Sequence, residues 1–157
     1  MSRKTRIYKH KRVSTSYLSE NEVLGKFINC MMYDGKKSVA ERILFDCFAL
    51  IKKDTHLQPM EVFKSAVDNV TPVVHVMSIR IAGSNYQVPM EVPPHKQITL
   101  AIRWIIESAR NRTEHTMVER LCKELVEASK NTGKSIEKKQ TVHKMAEANR
   151  AYAHYRW

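Results

Sequence analysis

Gly35-Lys36-Lys37-Ser38 has the residue types that end a phosphate-cradling loop. The upstream glycine of such a loop is missing, and helical spacing rather than a strand precedes it. With only 4 Gly in the chain, a backbone cradle for a nucleotide is hard to build. No G-x-S-x-G, G-x-G-x-x-G or H-E-x-x-H pattern occurs either. The seven histidines, His10, His56, His75, His95, His115, His143 and His154, are scattered, with no i, i+4 pair beside an acid. Polar surface roles or RNA-facing roles suit them better than catalysis. Cys30, Cys47 and Cys122 are widely spaced, form no C-x-x-C pair and sit in apolar helical patterns. They read as buried small hydrophobes in a reducing compartment. We therefore expect no catalytic residue, no metal site and no cofactor.

The chemistry that remains is electrostatic. The 157 residues hold 27 Lys plus Arg and 16 Asp plus Glu, a net charge of +11. Residues 1–12 contribute Arg3, Lys4, Arg6, Lys9, Lys11 and Arg12 with no acid. Residues 130–157 contribute Lys130, Lys134, Lys138, Lys139, Lys144, Arg150 and Arg156 against Glu137 and Glu147. Between these ends bases and acids balance. Two basic ends on a neutral body point to a polyanion, nucleic acid before an anionic membrane. No apolar run approaches the ~20 residues of a membrane span, and no secretory signal follows the basic start. A transit peptide would be amphipathic. Here bases fall on every face around Ile7 and Tyr8, so residues 1–18 read as a basic RNA-binding arm.

Residues 19–157 read as one helical domain. Ser19 with Glu22 and Ser38 with Glu41 match capping boxes. Val23, Leu24, Phe27, Ile28 and Met31 keep helical spacing, and Asp34-Gly35 ends that helix. A second stripe is Val39, Ala40, Ile43, Leu44, Cys47, Phe48 and Ile51. A third helix starts near Pro59 and stops before Pro72. The period then changes from 3.6 to 2 across Val73 to Ile81 and Tyr86 to Val92, with Ala82-Gly83-Ser84-Asn85 as the turn. A ribbon that long is marginal alone, so its base should pack and its tip project. Three helices follow. Ile98, Ala101, Ile102, Ile105, Ile106 and Ala109 make the fourth apolar face. Thr116 with Glu119 starts the fifth helix, and Gly133 is read as the residue after its end. Ser135 is read as the cap of the sixth, with Val142, Met145 and Ala146 inward. The fold class is mainly α, a six-helix domain with one protruding two-stranded β-hairpin, at 73–92, between helices three and four.

Several bases in this frame suit phosphate contact. Lys36 and Lys37 open helix two, where free N–H groups favour anions. Lys96, Arg103 and Arg110 recur every seven residues on helix four. Lys139, His143 and Arg150 fall close to one line on helix six. Arg80 stands near the hairpin tip. Tyr152 to Trp157 interleave aromatics with base, fit either to stack on unpaired bases or to fold back on the domain. No helix presents a clear major-groove reading set. Contacts spread over arms and turns suit folded RNA better than DNA. A free-standing nucleic-acid-binding regulator is the alternative reading.

Four stretches then carry a resemblance: Asp34 to Glu41 (DGKKSVAE), Tyr86 to Val92 (YQVPMEV), Leu100 to Ile106 (LAIRWII) and Met145 to Trp157 (MAEANRAYAHYRW). In order and in length they resemble the small-subunit ribosomal protein S-seven family, bacterial type, over nearly the whole chain. The resemblance implies a primary rRNA binder at the 3′ major domain that nucleates assembly of the subunit head. It implies a hairpin, here Arg80, Gly83, Ser84, Asn85 and Tyr86, beside the exit-site tRNA and the mRNA path. It implies ribosomal proteins number eleven and number nine as neighbours, a monomer within the ribosome, no membrane, and a bacterial cytoplasmic or an organellar ribosome. For Tyr155, Arg156 and Trp157 it implies contact with RNA or protein. Some bacterial members also repress their own operon mRNA. This chain departs from the family in Ile79-Arg80, where two arginines are usual, in Ala82-Gly83, where Gly-Gly is usual, and in the thinned basic cluster His95-Lys96-Gln97.

Overall fold

The computed structural model describes residues 22–155. The Ser19 cap and the expected boundary at residue 18 lie outside them. Element order is α1 (Glu22–Met31), α2 (Lys37–Thr55), α3 (Pro59–Val70), β1 (Val74–Ile81), β2 (Ser84–Glu91), α4 (Pro94–Arg110), α5 (Met117–Ser129) and α6 (Lys134–Ala148). A 3-10 helix at Arg150–Tyr155 follows. The expected six helices and intervening hairpin are all present.

The first five helices bury most of the stripe their spacing dictates. Helix α1 buries Leu24, Phe27, Ile28 and Met31, and α3 buries Val62, Phe63, Ala66, Val67 and Val70. Phe63 takes Phe27 edge-on, with centroids 5.3 Å apart. Helix α5 packs against α2, α3 and α4. Its Leu121 and Leu125 are fully buried, as are Leu44 and Ile51 of α2 and Ile102 and Ile105 of α4. Val39 and Met145, inward by their spacing, are instead exposed. Helix α6 has the weakest apolar face and buries only Ser135, Ile136 and Ala146.

The helix ends correct three expectations. Ser38 does not cap α2: the helix begins at Lys37, and Lys36 at the cap position makes no side-chain capping bond. Gly133 does not close α5. Asn131 takes the left-handed position at φ 58°. The Asn131 N–H donates to Ala128 C=O at 3.1 Å and the Thr132 N–H to Glu127 C=O at 3.0 Å, a Schellman closure. Gly133 instead precedes α6 at φ 96°, where an added Cβ would stand 3.1 Å from Glu127 Oε2. Ser135 is not a cap either. Its N–H and hydroxyl both donate to Oε1 of Glu124, at 2.9 Å and 2.6 Å. Glu124 of α5 thus caps α6 from outside, a carboxylate at the positive end of a helix. The Thr116 cap is as expected, with Glu119 N–H donating to its Oγ1 at 3.3 Å.

The hairpin ladder pairs Val74 with Glu91 through to Ile81 with Ser84. The Val92 N–H extends it to Val73 C=O at 2.9 Å. The turn is the two residues Ala82 and Gly83, not four: Ser84 and Asn85 are strand residues. Ala82 and Gly83 have φ 48° and 90°. Two central residues at positive φ match the twist of the strands. The base packs, with Val88 fully buried and α6 lying against both strands. The tip residues Ala82 to Asn85 are exposed.

Candidate nucleic-acid interface

Helix α4 is the spine of the basic surface. Pro94 at its first turn fixes its start directly after the hairpin. Lys96 and Arg103 are exposed on it. Spaced by seven, Lys96, Arg103 and Arg110 lie on one line of about 21 Å at 1.5 Å per residue. Glu107 is the acid near that line, and Lys138 of α6 neutralises it at 2.6 Å. No acid among the described residues pairs with Lys96 or Arg103.

Arg110 ends the line differently. Its Nη2 donates to the Met31 carbonyl, the last of α1, at 3.0 Å, and its guanidinium lies over the Tyr33 ring at 4.2 Å. Arg110 therefore joins α4 to the α1–α2 turn. Lys36 in that turn has a side chain 69% exposed and stands 4.0 Å from Asp34. Lys37 pairs with Glu41 at 3.6 Å. Lys139 also has an inward partner: its Nζ donates to the Asn69 carbonyl at 2.6 Å, near the end of α3. Both cations satisfy helix C-terminal carbonyls, where the dipole favours positive charge. Arg110 and Lys139 are thus tied to their own fold, which the helical wheel did not reveal.

The hairpin and C-terminal candidates separate. Arg80, Gly83, Ser84 and Asn85 are exposed at the far end of the ribbon. Tyr86 is half-buried instead, 5.3 Å from Tyr152 and 5.7 Å from Tyr155 between ring centroids. Of the two fates open to the C-terminal aromatics, Tyr152 and Tyr155 take the fold-back. Arg150 is exposed where the 3-10 helix begins. Arg3, Lys4, Arg6, Lys9, Lys11, Arg12, Arg156 and Trp157 lie outside the described residues.

The structure adds residues that the spacing did not single out. Tyr33 is 65% exposed beside Lys36; an aromatic next to a basic turn was the available signal. Arg112 is held among Glu114, Glu124 and Glu127. Burial works against its charge, but hydrogen bonds to Glu127 and Glu124 outweigh it and raise its pKa. His143 has a buried Nε2 without a partner among the described residues; burial, then the charge of Lys139, lowers its pKa. Cys47 and Cys122 are buried and Cys30 half-buried. A hydrogen bond with Cys122, reinforced by burial, pushes the Cys47 thiol far above its ordinary range. Among the described residues no three His, Cys, Asp or Glu stand close enough to hold a metal ion. No described helix is long and apolar enough to cross a membrane.

Comparison with known proteins puts this helical body and its β-arm in the class of structural, non-enzymatic components of the small ribosomal subunit. The chain belongs to the family of ribosomal protein S7p/S5e, whose model matches residues 2–150. It is 64% identical to small ribosomal subunit protein uS7m of Reclinomonas americana over 161 aligned positions, covering 100% of this chain and 99% of that protein. It is 50% identical to uS7 of Magnetococcus marinus over 157 positions, all of both chains. With uS7 of Streptococcus thermophilus the identity is 48%, again over all of both. The chain is therefore a ribosomal constituent acting in translation, on a ribosome of bacterial or organellar type.

Proposed function

We propose that this chain is a primary binder of the 3′ major domain of small-subunit rRNA and nucleates the subunit head. The carrying observation is the α4 line. Lys96 and Arg103 are exposed, the nearby Glu107 is taken by Lys138, and the line ends at the turn holding Lys36. Such a row neutralises successive phosphates and releases their counterions. Packed helices fix the spacing of the bases, so the shape of the RNA rather than base edges selects it. The basic residues Arg3, Lys4, Arg6, Lys9, Lys11 and Arg12 add contacts, as do Lys37 and Arg150. Arg110 and Lys139 act by holding the frame rather than as free phosphate ligands. Arg80, Gly83, Ser84 and Asn85 stand at the subunit interface, beside the exit-site tRNA and the mRNA path. Ribosomal proteins number eleven and number nine are neighbours, and the chain is a monomer within the ribosome.

The test is sedimentation of the tagged chain with the small subunit, followed by chemical footprinting on the rRNA. Protections confined to the 3′ major domain support the reading. A protein that binds isolated mRNA or DNA and stays off the subunit would overturn it.

A further inference from the structure

We propose that Tyr33 is a stacking platform for an unpaired RNA base, oriented by Arg110 and flanked by Lys36. This rests on the rRNA-binding reading and names a contact within it. Tyr33 stands two residues beyond α1, at the turn into α2. The residue is 65% exposed, yet its ring is not left to rotate freely. The Arg110 guanidinium covers it at 4.2 Å, and that guanidinium is itself fixed by a 3.0 Å bond to the Met31 carbonyl. A tyrosine whose role was core packing would be buried. This one is held in orientation while its area stays open.

Beside the ring lies an open groove of about 440 Å³ lined by Met31, Met32, Val39, Ile43 and Met117. Lys36 also lines it, while the Arg110 guanidinium in the same lining is taken by Met31 and Tyr33. Among the described residues Lys36 pairs with Asp34, at 4.0 Å and itself exposed. An apolar lining, an aromatic face and the exposed cation of Lys36 match a heteroaromatic base attached to phosphate. Every base offers a π-face, so the contact needs no particular sequence. The line of bases on α4 leads along the same surface to this point.

The test uses the full chain and a 3′ major-domain transcript, titrated over a series of salt concentrations. Y33F keeps the π-face and should bind as the parent does. Y33L keeps an apolar side chain but offers no π-face. It should bind roughly five- to 150-fold more weakly, the worth of one base–aromatic stack. Its salt slope should equal the parent's, because every phosphate still meets its cation. Y33L binding like the parent, or weakening through a changed salt slope, would overturn the inference and leave the rRNA reading standing. A parent that does not bind the transcript would overturn that reading itself. A second readout needs no variant: tyrosine nitration mapped by peptide mass, with and without transcript. Tyr33 shielded by bound RNA supports the platform, and equal nitration contradicts it. If Y33L binds RNA normally but enters subunits poorly, the groove serves a protein partner and the inference fails.

Discussion

The Nε of Arg112 donates to Oε2 of Glu124 at 2.7 Å, and Glu124 is completely buried. The other carboxylate oxygen accepts from Ser135 twice. Glu127 holds the far side of the same guanidinium. One carboxylate thus fastens the α4–α5 connection to α5 and supplies the start of α6. Glu124→Leu strips Ser135 of its acceptor and Arg112 of one partner. It should destabilise the fold by about 3 kcal/mol, in the range for breaking a buried pair. Glu124→Gln keeps an acceptor for Ser135 and should cost less. Urea midpoints of the two variants check the order.

A pH effect follows from His143. Its folded-state pKa is lowered, first by burial and then by Lys139. The unfolded chain therefore binds a proton more readily than the folded one. The stability from a neutral His143 is complete above the ordinary His value of about 6.5. It declines as pH falls from there toward the lower folded value. His143→Gln should flatten that decline, so unfolding midpoints of parent and variant should diverge below neutrality and run parallel above it.

Ala82 is strained where it stands. A φ of 48° suits Asn or Gly far better than a residue with an ordinary Cβ. Ala82→Asn makes an Asn-Gly turn of the favoured hairpin type. It should stabilise the ribbon by about 0.5–1 kcal/mol, part of the left-handed penalty that Asn bears better than Ala. Slower exchange of the Ile81 and Ser84 amides would report it.

The basic N-terminal residues carry a prediction of their own. Deleting residues 2–12 removes Arg3, Lys4, Arg6, Lys9, Lys11 and Arg12. Binding to the rRNA fragment should weaken and its salt dependence flatten, by about 0.7–0.9 in log–log slope for each phosphate left without its cation. An unchanged slope in filter-binding titrations would remove these residues from the interface.

Periodicity made the helices and hairpin legible because each buries a face with its own spacing. Leu24, Phe27, Ile28 and Met31 announce α1, and the change to period 2 at Val73 announces the ribbon. What was not legible depends on partners far along the chain. Ser135 reads as a cap by residue type, but Glu124, eleven positions earlier, does the capping. Arg110 and Lys139 read as exposed bases by their helical faces. Their actual partners are the carbonyls of Met31 and Asn69, 79 and 70 positions away. Tyr86 reads as a tip residue until the C-terminal tyrosines fold onto it. Within the candidate interface, Lys36, Lys96, Arg103 and Arg80 are the exposed bases their positions imply, because nothing remote among the described residues claims them.

The most direct measurement is the salt dependence of binding to the 3′ major-domain transcript, for the parent and for a Lys96→Gln/Arg103→Gln double variant. Both positions are exposed, so the variant should fold as the parent does. We predict weaker binding, whatever the bases in the transcript, and a log–log slope shallower by about 1.5, as two phosphates go unneutralised. A double variant that binds with the parent's affinity and the parent's slope would contradict a phosphate-reading surface on α4.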